Sequence, residues 1–401
     1  MAQRWGERAE AHLRALAKIS AGGPGVTRLP YTAEHRAALV YLARMMTAAG
    51  LVPQLDAAAT LIGRKGEGRT FYLGSHQDSV PNGGAYDGIA GVVLAILAVE
   101  LLAQEGVELP FAVEVCAFAD EEGVRFPTAL VGSRALAGSN DMATLAPGEP
   151  MRAAMEAFGV NPEGIPALAR DPAKAIGYLE AHIEQGPVLE RAGEALGVVT
   201  AICGIERHQV RLRGETGHAG TLPMEGRQDA LVGAAALVTE VNRLARSTPQ
   251  LRGTVGALEL APNAVNAVPG EVRLTIELRS EDDALREQAG AALTRFAQAT
   301  AKEMRLGLEM RRSYHQPAAP CDAKLRKVLA GAMRTTGGKG MELPSGATHD
   351  ASAMADLCPI AMLFLRCKGG LSHRPEESAT PGDLGQAVVA MAAFLRALPA
   401  A

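Results

Sequence analysis

TFYLGSHQDSVPNGGAYDGIAGVVLAILAVELL, residues 70–102, holds a strand, a turn and a helix in succession. Thr70 to Ser75 carries β-forming side chains without polar alternation, which predicts a strand covered on both faces. Gly88 to Leu102 is apolar on every side and too long for a strand, which predicts a buried helix. His76, Asp78 and Asp87 lie between them, at the strand's end and in the glycine-rich turn. Working outward, FAVEVCAF (Phe111 to Phe118) is a second strand, set between a proline and the acidic run Asp120–Glu122. YLEAHIEQG and LGVVTAICG read as further strands. Alternating strands and helices of this kind predict an α/β domain with a sheet flanked by helices.

From about His208 the pattern changes. HQVRLRG is a strand, Gly226 to Leu244 a helix, GTVGALEL and EVRLTIEL two strands, Asp282 to Met304 a helix and LGLEMRRSYH a strand. That order is βαββαβ, the ferredoxin-like split unit. After Pro317 and Pro320 the α/β character returns. The expected organisation is therefore a large α/β domain of residues 1–207 and 318–401, with residues 208–317 inserted as a smaller domain.

The bulk numbers narrow the function classes. The chain has 401 residues, a formal net charge of −4 and no long basic run, so it carries no electrostatic footprint for nucleic acid. Ile89 to Ala103 is broken by Gly91 and Glu100 and is too short to span a bilayer. The charged, helically spaced N-terminus does not resemble a signal peptide. Five cysteines without a CxxC pair suggest reduced, buried thiols. A cytoplasmic protein without a membrane partner is the expectation.

Metal-ligating residue types gather at the ends of the expected strands: His76, Asp78 and Asp87, then Asp120, Glu121 and Glu122, then His182 and His373. Ligands in α/β folds collect where strand C-termini meet loops. Each segment alone says little, because a lone histidine or acidic cluster is usually a solvated or satisfied structural group.

Together SHQDSVPNGGAYDGIAGV, FADEEGVRF, HIEQGPVLE, GHAGTLPMEGRQDA, SGATHDA and GGLSHRPEE follow one another in an order that resembles the hydantoinase/carbamoylase branch of the M20-type metal-dependent amidohydrolases. That branch includes N-carbamoyl-L-amino-acid hydrolases, allantoate amidohydrolases and β-ureidopropionases. The resemblance implies two divalent metal ions per subunit, Zn, Mn, Co or Ni. Asp87 would bridge them, with His76 and His182 completing one position and Glu122 and His373 the other. Asp78 would orient the His76 imidazole, and Glu121 would be the general base for a metal-bridging hydroxide. Glu121 and Glu122 can serve such different roles only if the strand has ended in a turn, since neighbours on an extended segment point apart.

The resemblance also implies that His218 polarises the carbonyl under attack, and that Gln185, Asn266, Arg279, His349 and Gly370 contact a carboxylate-bearing small-molecule substrate. It further implies a homodimer, with the inserted domain as lid and dimerisation surface. Gln77, Ala85, Glu277, Thr348 and Cys367 depart from the usual pattern, and they bear on the substrate rather than on the metal ligands. Hydrolysis of the carbamoyl group of an N-carbamoyl amino acid is expected. The rivals are an allantoate-type ureido acid, then an M20-type aminoacylase or peptidase, for which His182 would more often be a carboxylate, and then a non-catalytic binding protein.

Overall fold

The computed structural model describes residues 1–139 and 148–399. The chain divides into two compact units, one of Met1–Thr200 with Pro320–Ala401 and one of Ala201–Ala319.

The first unit is built on a nine-stranded mixed sheet. Its strands are β1 (Val52–Leu55), β2 (Leu61–Lys65), β3 (Thr70–His76), β4 (Ala112–Phe118), β5 (Ala175–Ile183), β6 (Leu196–Ile202), β11 (Ala319–Pro320), β12 (Met341–Ser345) and β13 (Ile360–Leu365). They run in the order β1-β2-β4-β3-β5-β13-β6-β11, with β12 paired to β6. β3 is buried along its whole length and pairs in parallel with β4 and β5, as its unbroken β-forming run requires. β5 pairs in parallel with β13. The C-terminal ends of these four strands therefore share one edge of the sheet. Helix α2 (Ala33–Ala48) packs against β1 and β2, and helix α3 (Ile89–Gln104), buried except for the partly exposed Glu100 and the exposed Ala103 and Gln104 at its end, packs against β3, β4 and β5. Helix α1 (Ala2–Ala17) crosses the C-terminal helix Pro381–Ala397 at a glycine pair: a Cβ on Gly6 would lie 1.6 Å from the Pro381 carbonyl oxygen, and one on Gly385 1.9 Å from that of Ala2.

In the second unit β7 (Gly204–Arg213), β8 (Arg252–Ala261), β9 (Glu271–Ser280) and β10 (Gly307–Gln316) form an antiparallel sheet ordered β10-β7-β9-β8. Helices Ala230–Ser247 and Asp283–Glu303 carry Ala234, Leu237, Val241, Leu293 and Ala297 into a core with Val210, Leu212, Leu274, Ile276 and Leu278.

Two expected boundaries move. The helix expected from Gly226 begins at Ala230, because Gly226 has φ +76 and the Asp229 side chain caps the backbone N–H groups of Leu231 and Val232. The strand expected from His208 begins at Gly204. Glu206 and His208 are buried and bonded to each other at 2.6 Å, so the polar Glu206 and Arg207 concealed the start of the strand. Among the described residues no helix is long and apolar enough to cross a membrane, and all five cysteines are free and buried.

Candidate metal centre

The shared C-terminal edge of β3, β4, β5 and β13 collects the histidines and carboxylates of the first unit. His76 ends β3, His182 lies one residue before the end of β5, and Glu121 and Glu122 follow β4. Asp87 precedes α3, and His373 lies beyond β13. β4 does end before the acidic pair: Asp120 turns into the left-handed region at φ +58. Gln185 (φ +57) and His373 (φ +58) are held in the same disfavoured conformation. Strained non-glycine residues of this kind concentrate where the surrounding structure fixes a functional geometry.

Asp87 is the hub. Its Oδ1 lies 3.0 Å from His182 Nε2 and 3.9 Å from His76 Nε2. Its Oδ2 lies 3.1 Å from His373 Nε2, and that nitrogen lies 3.7 Å from Glu122 Oε1. The donor atoms of His76, Asp87 and His182 could hold one cation, and those of Asp87, Glu122 and His373 another. Imidazole and carboxylate without thiolate suit first-row divalent metals. The imidazoles are oriented through their other nitrogens, His182 Nδ1 at 2.9 Å from the Ile183 carbonyl and His76 Nδ1 at 3.0 Å from the Asp78 carbonyl.

Asp78 thus steers His76 with its main chain. Its carboxylate, 4.0 Å from His76 Nδ1, instead accepts the backbone N–H groups of Glu121 (3.2 Å) and Glu122 (3.4 Å). A buried carboxylate prefers two peptide donors within reach to an imidazole beyond hydrogen-bond range. Expected to orient a histidine, this side chain holds the turn that carries the acidic pair.

The charges are strongly coupled. Burial opposes ionisation of Asp87, but the bonds to His182 and His373 hold its carboxyl well below the usual range. Burial opposes protonation of His182 too, yet its bond to Asp87 raises it to about 9. The same carboxylate raises His373 to about 9. Burial and then the neighbouring Glu122 push Glu121 well above the usual carboxylate range, and burial with Asp87 takes Glu122 to about 8.

The remaining candidates fall in two places. Gln185 Nε2 lies 3.4 Å from each Asp87 oxygen and 3.1 Å from Ser372 Oγ. His349 is buried against His182, ring centroids 4.4 Å apart, with Nε2 bonded to Ser345 Oγ at 2.7 Å. Gly370 has φ +66, and a Cβ there would lie 2.5 Å from the Gly186 carbonyl carbon, so only glycine fits.

In the second unit His218 pairs with Ala267, and Ala219 N–H donates to the Asn266 carbonyl at 2.9 Å, which brings His218 and Asn266 together. His218 Nδ1 accepts from the backbone of Gly220 and Thr221, both at 3.2 Å, which leaves Nε2 as the protonated, donating nitrogen. Arg279 Nε donates to Glu277 Oε1 at 2.8 Å, and the same carboxylate is bonded to Arg207.

Sequence reading missed Glu377 and Ser372. Glu377 Oε1 accepts the backbone N–H groups of Tyr86 (2.8 Å) and Asp87 (2.9 Å), and Ser372 Oγ lies between the Glu377 and Asp87 carboxylates. Burial, and then Asp87, raise Glu377 to about 7. Both residues stand inside GGLSHRPEE, but a glutamate beside Glu376 looks there like half of a surface acidic pair.

Comparison with known proteins gives the family. The sequence profile described as Peptidase family M20/M25/M40 matches residues 72–397. An N-carbamoyl-L-amino acid amidohydrolase of Geobacillus stearothermophilus is 38% identical over 367 residues, covering 90% of each chain. An allantoate deiminase of Arabidopsis thaliana is 36% identical, covering 97% of this chain and 82% of its own. The crystal structure of an amidase of the hydantoinase/carbamoylase family from Burkholderia multivorans superposes with a TM-score of 0.90 at 30% identity, covering 97% of both chains. Matched by the family profile over residues 72–397 and by relatives over most of their length, the chain belongs to the peptidase family M20/M25/M40, in its hydantoinase/carbamoylase branch.

Proposed function

We propose that this protein hydrolyses a linear amide, the carbamoyl or ureido group of an N-carbamoyl amino acid, at a centre that takes two divalent cations. One observation carries the reading: the two oxygens of Asp87 face two different donor sets, His76 with His182 and His373 with Glu122. Two cations held there would lower the pKa of a shared water and polarise the substrate carbonyl.

The chain's own groups supply the rest. Glu121, buried and with a raised pKa, takes the proton of the attacking water and delivers it to the leaving nitrogen. His218 offers Nε2–H to the oxyanion. Arg279 holds the substrate carboxylate with its planar fork, fixed in orientation by Glu277, while Asn266 and Gln185 take further polar groups. Water adds to the carbamoyl carbon, and the products are ammonia, carbon dioxide and the free amino acid.

Ammonia release from N-carbamoyl α- and β-amino acids, allantoate and N-acetyl amino acids, measured before and after chelation and with Zn²⁺, Mn²⁺, Co²⁺ or Ni²⁺ restored, tests the proposal. Turnover of the carbamoyl compounds that is lost on chelation and regained with metal is expected. Turnover of N-acetyl amino acids alone would replace it with an aminoacylase reading, and allantoate as the best substrate would favour the ureido acid.

A further inference from the structure

Around Asp87 there is one hydroxyl proton and two carboxylates to receive it. Ser372 Oγ lies 3.1 Å from Glu377 Oε2 and 3.3 Å from Asp87 Oδ2, and it is within 3.1 Å of Gln185 Nε2, which donates to it. A hydroxyl has a single hydrogen, so it can serve only one of the two carboxylates. Asp87 Oδ2 is the oxygen that faces His373 and Glu122. If Ser372 donated to it, one of that oxygen's two lone pairs would be taken up and the oxygen would be a weaker donor toward the second cation position.

Glu377 is built to take the proton instead. It is 4% exposed, and its Oε1 is fully engaged by the N–H groups of Tyr86 and Asp87. Its Oε2 is left pointing at Ser372. Room for the carboxylate is made by Gly84, where a Cβ would lie 2.2 Å from the Glu377 carboxyl carbon. One side chain thereby fixes the loop that carries Asp87 and draws the serine proton away from Asp87 itself.

We propose that Glu377 is a positioning residue that keeps the Ser372 proton off Asp87 Oδ2, the oxygen that faces Glu122 and His373, by cradling the Tyr86–Asp87 backbone and accepting the Ser372 hydroxyl. The inference rests on the two-cation reading above. Glu377→Gln separates its parts. The amide oxygen can still accept the two backbone N–H groups, but the amide nitrogen becomes a donor toward Ser372, whose proton must then turn to Asp87 Oδ2. Ser372→Ala removes the misdirected proton.

Metal content by elemental analysis and affinity by calorimetric Zn²⁺ titration of chelated protein provide the readout. Wild type is expected to bind two ions. Glu377→Gln should bind one tightly and the other about 10–100-fold more weakly, the usual effect of removing a group that supports a ligand. Glu377→Gln with Ser372→Ala should return to the affinity of Ser372→Ala alone. Two ions bound unchanged by Glu377→Gln, or no recovery in the double variant, would overturn the role of Glu377 while leaving the two-cation reading intact. Wild type that binds no metal would overturn both. Should Glu377→Gln fail to fold, Glu377→Asp, whose shorter side chain withdraws the acceptor from Ser372, should weaken the second ion and regain it when Ser372→Ala is added; unchanged binding by Glu377→Asp would overturn the role of Glu377.

Discussion

Glu121 and Glu122 are adjacent in sequence, yet the turn at Asp120 gives them different tasks. Glu122 shares a donor set with Asp87 and His373, whereas Glu121, which comes together with His76 and Glu122, is the residue proposed to carry the proton. Glu121→Gln is therefore expected to keep its metal, measured by elemental analysis, and to lose kcat by about 10²–10⁴-fold, the usual worth of a general base. Protons and cations also compete for the histidines. His182 and His373 titrate near 9 in the metal-free protein, above the ordinary 6.5, so their protonated forms stabilise the fold. That stability is complete below about 6.5 and is lost as pH rises through about 9. Glu122, raised to about 8, acts in the same direction, because its ionisation leaves a buried negative charge. The Tm of the chelated protein should fall as pH rises from about 6.5 to about 9, and the increment produced by Zn²⁺ should grow. Scanning calorimetry with and without metal measures both. An increment that shrinks over this range would contradict the coupling.

At the scale of elements, the ends of strands matter more than their lengths. Gly88 precedes α3 with φ +63, and a Cβ there would lie 2.3 Å from the His76 ring. Gly88→Ala should cost about 1–3 kcal/mol in urea unfolding through its backbone strain alone. It should also weaken the cation position of His76 and His182, seen in the same titration. Arg279 stands near the end of β9 with its fork fixed by Glu277. Arg279→Lys keeps the charge and loses the fork, so it should lose nearly as much kcat/KM on an N-carbamoyl amino acid as Arg279→Ala, and far less on the corresponding amide. Equal losses on acid and amide would assign Arg279 a structural role.

The strands β3, β4 and β5 and the helix α3 were legible because their runs are dominated by β-forming or apolar side chains, with only scattered polar residues such as Glu114, Glu180 and Glu100. The short strands β1, at the edge of the sheet, and β2 beside it were not, since VPQL and LIGRK are too short and too polar for periodicity to register. Within the site, His76, Asp87, Glu121, Glu122, His182 and His373 were named by motif, and the structure brings them together. Glu377 and the backbone role of Asp78 escaped, because a carboxylate that binds peptide N–H groups leaves no spacing in the sequence.

For the whole molecule, a homodimer remains a proposal, supported by the family resemblance and testable by sedimentation. If His218 of one copy serves the centre of another, mixing inactive Glu121→Gln with inactive His218→Ala should restore roughly a quarter of wild-type activity after free exchange of chains. No recovery after verified exchange would place both residues in service of a single copy. The discontinuous first unit has a further consequence, one of timing. His76, Asp87, Glu122 and His182 all precede the inserted unit, and His373 follows it. On a ribosome adding about 5–20 residues per second, roughly 10–40 s separate His182 from His373. During that interval β1 to β5 already have all their neighbours but one, since only β5 waits for β13. The donor set of His76, Asp87 and His182 is complete in the nascent chain before the other exists, so the order of synthesis offers the two positions to the cell's metal pool one after the other.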